Sequence, residues 1–257
     1  MDQPKLSLQG VRKSFGSKVV LDGLDLDIFP GESVVVIGGS GTGKSVMLKC
    51  VLGLIQPDGG RILLDGEDIT HVHGREREML LRRFGMLFQG GALFDSLRVW
   101  RNVGFGLISA QRLRKKEARA RAIEILAKVG LAPEVGDLRP AELSGGMQKR
   151  VALARAIATN PEIIFFDEPT AGLDPIMADV INKLIIERVR DLGATALTIT
   201  HDMASARKVA DRIGMLHGGR IIWIGPAADI DRSGNPHVDQ FIHGRAEGPI
   251  TMAVRRG

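Results

Sequence analysis

The stretch Gly38-Gly39-Ser40-Gly41-Thr42-Gly43-Lys44-Ser45 packs four glycines, a lysine and three hydroxyls into eight residues. It fits the pattern G-x-x-x-x-G-K-[ST], a spacing suited to holding phosphate. Backbone N–H groups beside glycines can converge on phosphate oxygens, where a side chain would block the approach. A following helix N-terminus adds partial positive charge. Lys44 then reaches the outer phosphates, and the Ser45 hydroxyl ligates Mg²⁺. A glycine turn without a ligand explains the glycines alone. It leaves unexplained the apolar run before them and the lysine, hydroxyl and apolar helix after them.

A second constellation is Ile163-Ile164-Phe165-Phe166-Asp167-Glu168-Pro169, an apolar run ending in two carboxylates. This is the Walker B arrangement. Asp167 at a strand end can hold the Mg²⁺ shell, and Glu168 can orient and deprotonate an attacking water. A solvated turn would also favour Asp-Glu, but not together with a phosphate loop. A third is Leu143-Ser144-Gly145-Gly146-Met147-Gln148-Lys149-Arg150. Ser144 reads as a helix N-cap, with Met147, Val151, Ala154 and Ala158 following as a buried face. A capped helix explains Gly145 and Gly146 badly, because each costs up to about 1 kcal/mol in a helix. They make sense if the exposed N–H groups must touch a phosphate.

Strands alternating with helices must carry these groups. Leu24–Ile28 alternates apolar and acidic residues, as a half-buried strand does. Pro30-Gly31 turns the chain into Ser33–Ile37, a fully buried strand, and an apolar helix runs from Lys44 to Leu54. Short strands recur at Arg61–Leu64, Gly85–Phe88, Ile163–Phe166 and Ala196–Thr200, and Ile213–Leu216 with Ile221–Ile224 reads as a hairpin. The pattern is α/β with a mainly parallel sheet. Ala92 to Arg139 reads as an inserted helical subdomain, whose basic run Arg112–Ala122 is a solvated helix face. The tail from Pro226 onward reads as a loose helix-and-loop extension.

With 257 residues, 44% apolar and 25% charged, the chain has the composition of a soluble globular protein. Its net charge of +5 does not choose between polyanions, a membrane surface and ordinary surface charge. The single cysteine, Cys50, excludes an internal disulfide, is expected in the core and points to a reducing compartment. Met1–Gly10 has no signal-peptide core, and no apolar run approaches the roughly 20 residues a bilayer span needs. Work at a membrane would therefore go through a partner. His71, His73, His217, His237 and His243 follow no zinc spacing and are expected at the surface.

The segment 143–150 resembles the LSGGQ signature of the ABC ATPase family, with Met147 in the usual glutamine position. Other motifs of that family then match in order from Leu6 to Gly225. Phe15 resembles the aromatic residue that stacks on adenine. Gln89 resembles the Q-loop glutamine that senses Mg²⁺ and the membrane partner. Ala171-Gly172-Leu173-Asp174 resembles the D-loop, usually Ser-Ala-Leu-Asp, and His201 resembles the H-loop histidine that contacts the γ-phosphate. The resemblance implies a P-loop NTPase-like, mainly parallel sheet with an antiparallel β subdomain and a helical subdomain inserted at about 90–160. Residues 1–225 would form the nucleotide-binding domain and 226–257 a C-terminal extension. It also implies ATP and Mg²⁺ as ligands and a head-to-tail homodimer. Each ATP would lie between one phosphate loop and the partner's Ser144, Gly145 and Gly146.

Three uses of ATP compete: a transporter subunit, a chromosome or DNA-repair ATPase, and a translation factor. The second carries a long coiled coil between phosphate loop and signature, where this chain has only about a hundred residues without sustained heptads. The third carries two cassettes, and one is present. The transporter reading leads, with a membrane permease as partner, no nucleic acid, and a place on the cytoplasmic face of the inner membrane. More narrowly, residues 89–103, Gln-Gly-Gly-Ala-Leu-Phe-Asp-Ser-Leu-Arg-Val-Trp-Arg-Asn-Val, are similar to ATPases of the Mla-type phospholipid transporters. So are Asp174-Pro175-Ile176 and the tail from Gln240 to Pro249. Such ATPases partner a permease, a lipid-binding MCE protein and often a STAS-domain subunit. Departures are Val46 and Met47 after the phosphate loop, where a second hydroxyl is common, and the basic Arg255-Arg256.

Overall fold

A computed structural model describes residues 3–251; Arg255-Arg256 lies outside them. The strands are β1 (Leu6–Phe15), β2 (Lys18–Ile28), β3 (Ser33–Ile37), β4 (Gly59–Leu64), β5 (Glu67–Asp68), β6 (Phe84–Leu87), β7 (Ile163–Asp167), β8 (Thr195–Thr200), β9 (Arg212–His217) and β10 (Arg220–Pro226). The helices are α1 (Lys44–Val51), α2 (Gly74–Leu81), α3 (Val99–Val103), α4 (Phe105–Ser109), α5 (Lys115–Lys128), α6 (Gly145–Ile157), α7 (Pro175–Leu192), α8 (Met203–Val209) and α9 (Pro236–Ile242).

Two sheets form. One is antiparallel, in the order β2-β1-β4-β5. The other has the order β10-β9-β3-β8-β7-β6, parallel throughout except for the edge hairpin β9–β10. The parallel strands are almost wholly buried because both their faces are covered. Along β3, Val34 and Val36 face one apolar cluster and Val35 and Ile37 another. On β7, Phe165 joins the cluster under the antiparallel sheet, where it meets Phe84 edge-on at 5.2 Å. Phe166 turns to the opposite cluster, under the helical subdomain. The half-buried reading of Leu24–Ile28 holds, with its leucines and isoleucine buried and both aspartates exposed.

The inserted segment contains α3, α4, α5 and two short 3₁₀ segments, and packs on α6. Its basic run leads into α5, which buries only Ala118, Ala122, Ile125 and Leu126 and leaves its cations outside. Two expectations need correction. Helix α1 stops at Val51 rather than Leu54, because Gly53 takes a left-handed conformation (φ 60°) and the amides of Gly53 and Leu54 fold back onto Cys50 and Lys49 carbonyls. The tail is not loose: Ile230 and Val238 are fully buried, joining Val35, Ile37 and Met215 in the third apolar cluster. Cys50 is in the core as expected. His217 and His237 are half-buried and face each other at 4.9 Å between ring centroids, whereas His71, His73 and His243 are exposed.

Candidate functional site

Four parallel strands deliver their C-terminal ends to one edge of the sheet. β3 leads into the phosphate loop, β8 into His201, β7 into Glu168 and β6 into Phe88 and Gln89. Ligands of open α/β sheets bind beyond such ends, where loops from neighbouring strands converge.

The phosphate loop closes on itself. Lys44 Nζ donates to the Gly38 carbonyl at 2.6 Å and to the Gly39 carbonyl at 2.9 Å, and Thr42 Oγ1 donates to Gly39 at 2.9 Å. Gly43 sits at φ 110°, and a Cβ there would lie 3.0 Å from the Val20 carbonyl, so only glycine fits. Ser40, Gly41 and Ser45 are exposed. Lys44 is buried, and burial pulls its pKa below the usual value against the charges of Glu168 and Asp167. Asp167 goes the other way: burial first, then the Glu168 charge, raises its carboxyl pKa. Asp167 Oδ1 is buried without a hydrogen-bond partner among the described residues. An orphaned carboxylate oxygen beside a phosphate loop fits a cation that supplies the missing partner.

Glu168 is the most constrained residue of the site. Its backbone is left-handed, at φ 48°, a conformation that costs of order 1 kcal/mol for a residue with a side chain. Its amide donates to the Ile199 carbonyl at 3.0 Å. Its carboxylate accepts from the Thr200 hydroxyl at 3.0 Å and from the His201 amide at 3.4 Å. His201 Nδ1 lies 2.9 Å from the other oxygen, with the imidazole largely exposed. The carboxylate and the imidazole thus face the same opening, a cleft of about 370 Å³ that continues to Thr170, Leu173, Asn182 and Ser205.

Other predicted residues make no direct hydrogen bond to the Lys44, Asp167, Glu168 or His201 side chains among the described residues. Phe15 is at the end of β1, half exposed, with Lys13 Nζ 5.5 Å from its ring centroid. Gln89 is exposed, and its carbonyl accepts from Lys149 Nζ. Asp174 caps α7 by accepting from the Ile176 and Met177 amides, both at 3.0 Å. Ser144 caps α6 by accepting from Met147 N at 3.3 Å. Gly146 has a reason within the protomer, since a Cβ there would meet the Met177 side chain at 2.9 Å. Gly145 has none: a Cβ would enter open space. A helix-weakening glycine at an exposed helix start, with nothing of its own chain to accommodate, points to a surface that something else approaches.

Two residues bearing on the site escaped sequence reasoning. Thr200 is the last residue of β8 and belongs to no motif in the sequence. Lys149 lies on the buried face of α6, in step with Gly146 and Leu153, and its Nζ also donates to the Glu168 carbonyl at 3.3 Å. That periodicity, a lysine at an interior position, was the available signal.

The ABC transporter family model matches residues 21–171, a span that runs from β2 through the phosphate loop, signature and acidic pair to the start of the D-loop segment. The chain belongs to the ABC transporter family. It is an ATP-binding, ATP-hydrolysing ABC transporter subunit. It is 42% identical over 253 residues to a probable ribonucleotide transport ATP-binding protein of Mycobacterium leprae, covering 98% of this chain and 72% of that one. It is 37% identical over 252 residues to the intermembrane phospholipid transport ATP-binding protein MlaF of Escherichia coli, covering 98% and 93%. Among solved structures, it is similar to a dimeric ATP-binding cassette in a post-hydrolysis state with ADP and Pi. The TM-score is 0.79 at 33% identity, over 86% of this chain and 98% of that one. No helix among the described residues is long and apolar enough to cross a membrane.

Proposed function

We propose that this ABC ATPase energises phospholipid transport between membranes, working as a homodimer on a membrane permease at the cytoplasmic face. The observation that carries the lipid reading is the near-complete overlap with MlaF at 37% identity, together with the Gln89–Val103 run. A ribonucleotide cargo is the second reading, favoured by the name of the 42% identical mycobacterial relative. A groove of about 500 Å³ lined by Leu81, Phe84, Met86, Phe105 and Arg155 suits an apolar permease segment. Phe94, itself exposed, packs on Phe105 at its rim, 4.9 Å between centroids. An MCE-domain lipid-binding protein and a STAS-domain subunit are the further partners this reading carries.

In this mechanism the phosphate loop, Gly38 to Ser45, wraps the β- and γ-phosphates with backbone N–H groups, and Lys44 supplies the point charge. Phe15 stacks on the adenine. Ser45, Asp167 and Gln89 would hold Mg²⁺, which when bound neutralises developing phosphate charge. Glu168 orients the attacking water and accepts its proton. Thr200 and the His201 amide hold the carboxylate in place, and His201 contacts the γ-phosphate. The partner's signature, Ser144 with Gly145 and Gly146, closes over the same phosphate, and Asp174 sets the D-loop beside it. Loss of the γ-phosphate removes what holds the two protomers together.

The test of the lipid reading is a mild-detergent pull-down of the tagged chain from its native membrane, with partners identified by mass spectrometry. Recovery of a permease with an MCE-domain protein is the expected result. A permease without an MCE protein would refute the lipid reading and leave the transporter assignment standing.

A further inference from the structure

Helix α6 carries more than the signature at its start. Two of its cations reach across to the chain that leaves β6. Arg155 donates to the Gly91 and Ala92 carbonyls, both at 2.7 Å, and its guanidinium lies 5.9 Å over the Phe94 ring. Lys149, one turn from the signature glycines, donates to the Gln89 carbonyl and to the Glu168 carbonyl. The lysine is 6% exposed. Burial of an ammonium is costly, and a methionine would fill the same volume without that cost. The charge therefore needs a geometric reason. Its acceptors supply one: they follow the ends of two paired parallel strands, β6 and β7, and one of them belongs to the left-handed residue that bears the general base.

We propose that Lys149 is a positioning residue for ATP hydrolysis, a tie that fixes the Gln89 and Glu168 backbones to the helix carrying the signature. The proposal rests on Glu168 as general base. The Glu168 amide donates to the Ile199 carbonyl, and the Glu168 carbonyl accepts from the Ala171 amide at 3.2 Å within its own turn and from Lys149 on α6. Without Lys149 the Glu168 carbonyl keeps only the Ala171 amide of its own turn, and the link from the strained residue to α6 and to Gln89 is lost, which lets the carboxylate shift. Misplacement of a reacting group by about 1 Å costs up to about a hundredfold in rate. Among the described residues no hydrogen bond joins Lys149 to the phosphate loop, and it reaches Gln89 through the backbone carbonyl only, so the larger effect is expected on turnover rather than on ATP binding.

The experiment is steady-state hydrolysis by the full chain as wild type, Lys149→Met, Lys149→Gln, Lys149→Arg and Glu168→Gln, with melting curves for each. Lys149→Met is expected to lower kcat about 10- to 100-fold with KM for ATP changed less than about threefold, and Lys149→Arg to recover most of the loss. A kcat in Lys149→Met within about twofold of wild type would overturn the proposal, as would a Lys149→Arg no better than Lys149→Met. If Lys149→Met fails to melt cooperatively, the comparison of Lys149→Arg with Lys149→Gln decides. A lower kcat for Gln at equal KM supports the tie, and equal kcat refutes it. Glu168→Gln reports on the underlying reading by itself. Wild-type turnover there refutes the general base, whereas a dead Glu168→Gln beside an unaffected Lys149→Met refutes the tie alone.

Discussion

At the scale of residues, the site is a set of charges that only make sense together. Lys44 is held by its own loop, with burial lowering its pKa, while Asp167 keeps an oxygen without a partner. Both are arrangements that a polyphosphate with a cation would satisfy. Lys44→Ala is expected to weaken ATP binding at least about tenfold without lowering the melting temperature of the nucleotide-free chain, since a charge-assisted contact is worth about 1.5–3 kcal/mol. Equilibrium nucleotide titration checks it, and wild-type affinity would refute the role. The phosphate loop and the Asp167-Glu168 pair were legible in the sequence because each is contiguous and its neighbours in the chain are its neighbours in space. Thr200 and Lys149 were not. Each acts on Glu168 across a sequence separation of 32 and 19 residues, respectively, and only the packed sheet brings them together.

At the scale of elements, caps and ion pairs decide how firmly the site is mounted. Asp174 accepts from two amides at the start of α7, and an N-cap of that kind is worth about 1 kcal/mol. Asp174→Ala is expected to destabilise the chain by about that amount and Asp174→Asn by much less, read from denaturant midpoints. Behind the site, Glu162 at the start of β7 is bonded by Arg83 and Lys5, and the Arg83 hydrogen bond above all lowers its pKa to about 2. The folded value lies below the ordinary 4.5, so the stabilisation is complete above about 4.5 and is lost as pH falls toward about 2. The cluster is half exposed, so its worth is about 1 kcal/mol or less. Glu162→Gln should lower stability by that much at neutral pH and match the wild type below about pH 2, as acid-titrated denaturation would report. Most strands were readable from apolar runs. β1 was not, because register shifts after Leu8 and around Val11, with Gly10 left-handed between them, break its period-two pattern. The burial of the tail is harder to read, because Ile230 stands alone between aspartates and the helical spacing of Val238, Phe241 and Ile242 lasts for little more than one turn.

At the scale of the whole molecule, the proposed mechanism gives the protomer two half-sites that do not meet within it. No hydrogen bond joins Ser144, Gly145 or Gly146 to the phosphate loop among the described residues, and Gly145 faces open space. Ile176, 80% exposed beside the Asp174 cap, is an apolar side chain at the same end of α7. A second copy, turned head to tail, would bring one protomer's α6 start to the other's phosphate loop and cover both features. ATP would then hold the dimer closed until hydrolysis. The measurement that tests this most directly is sedimentation velocity of Glu168→Gln with ATP and, separately, with ADP. A dimer with ATP and a protomer with ADP is expected, because binding survives the substitution and turnover does not. The same sedimentation coefficient with both nucleotides would contradict it.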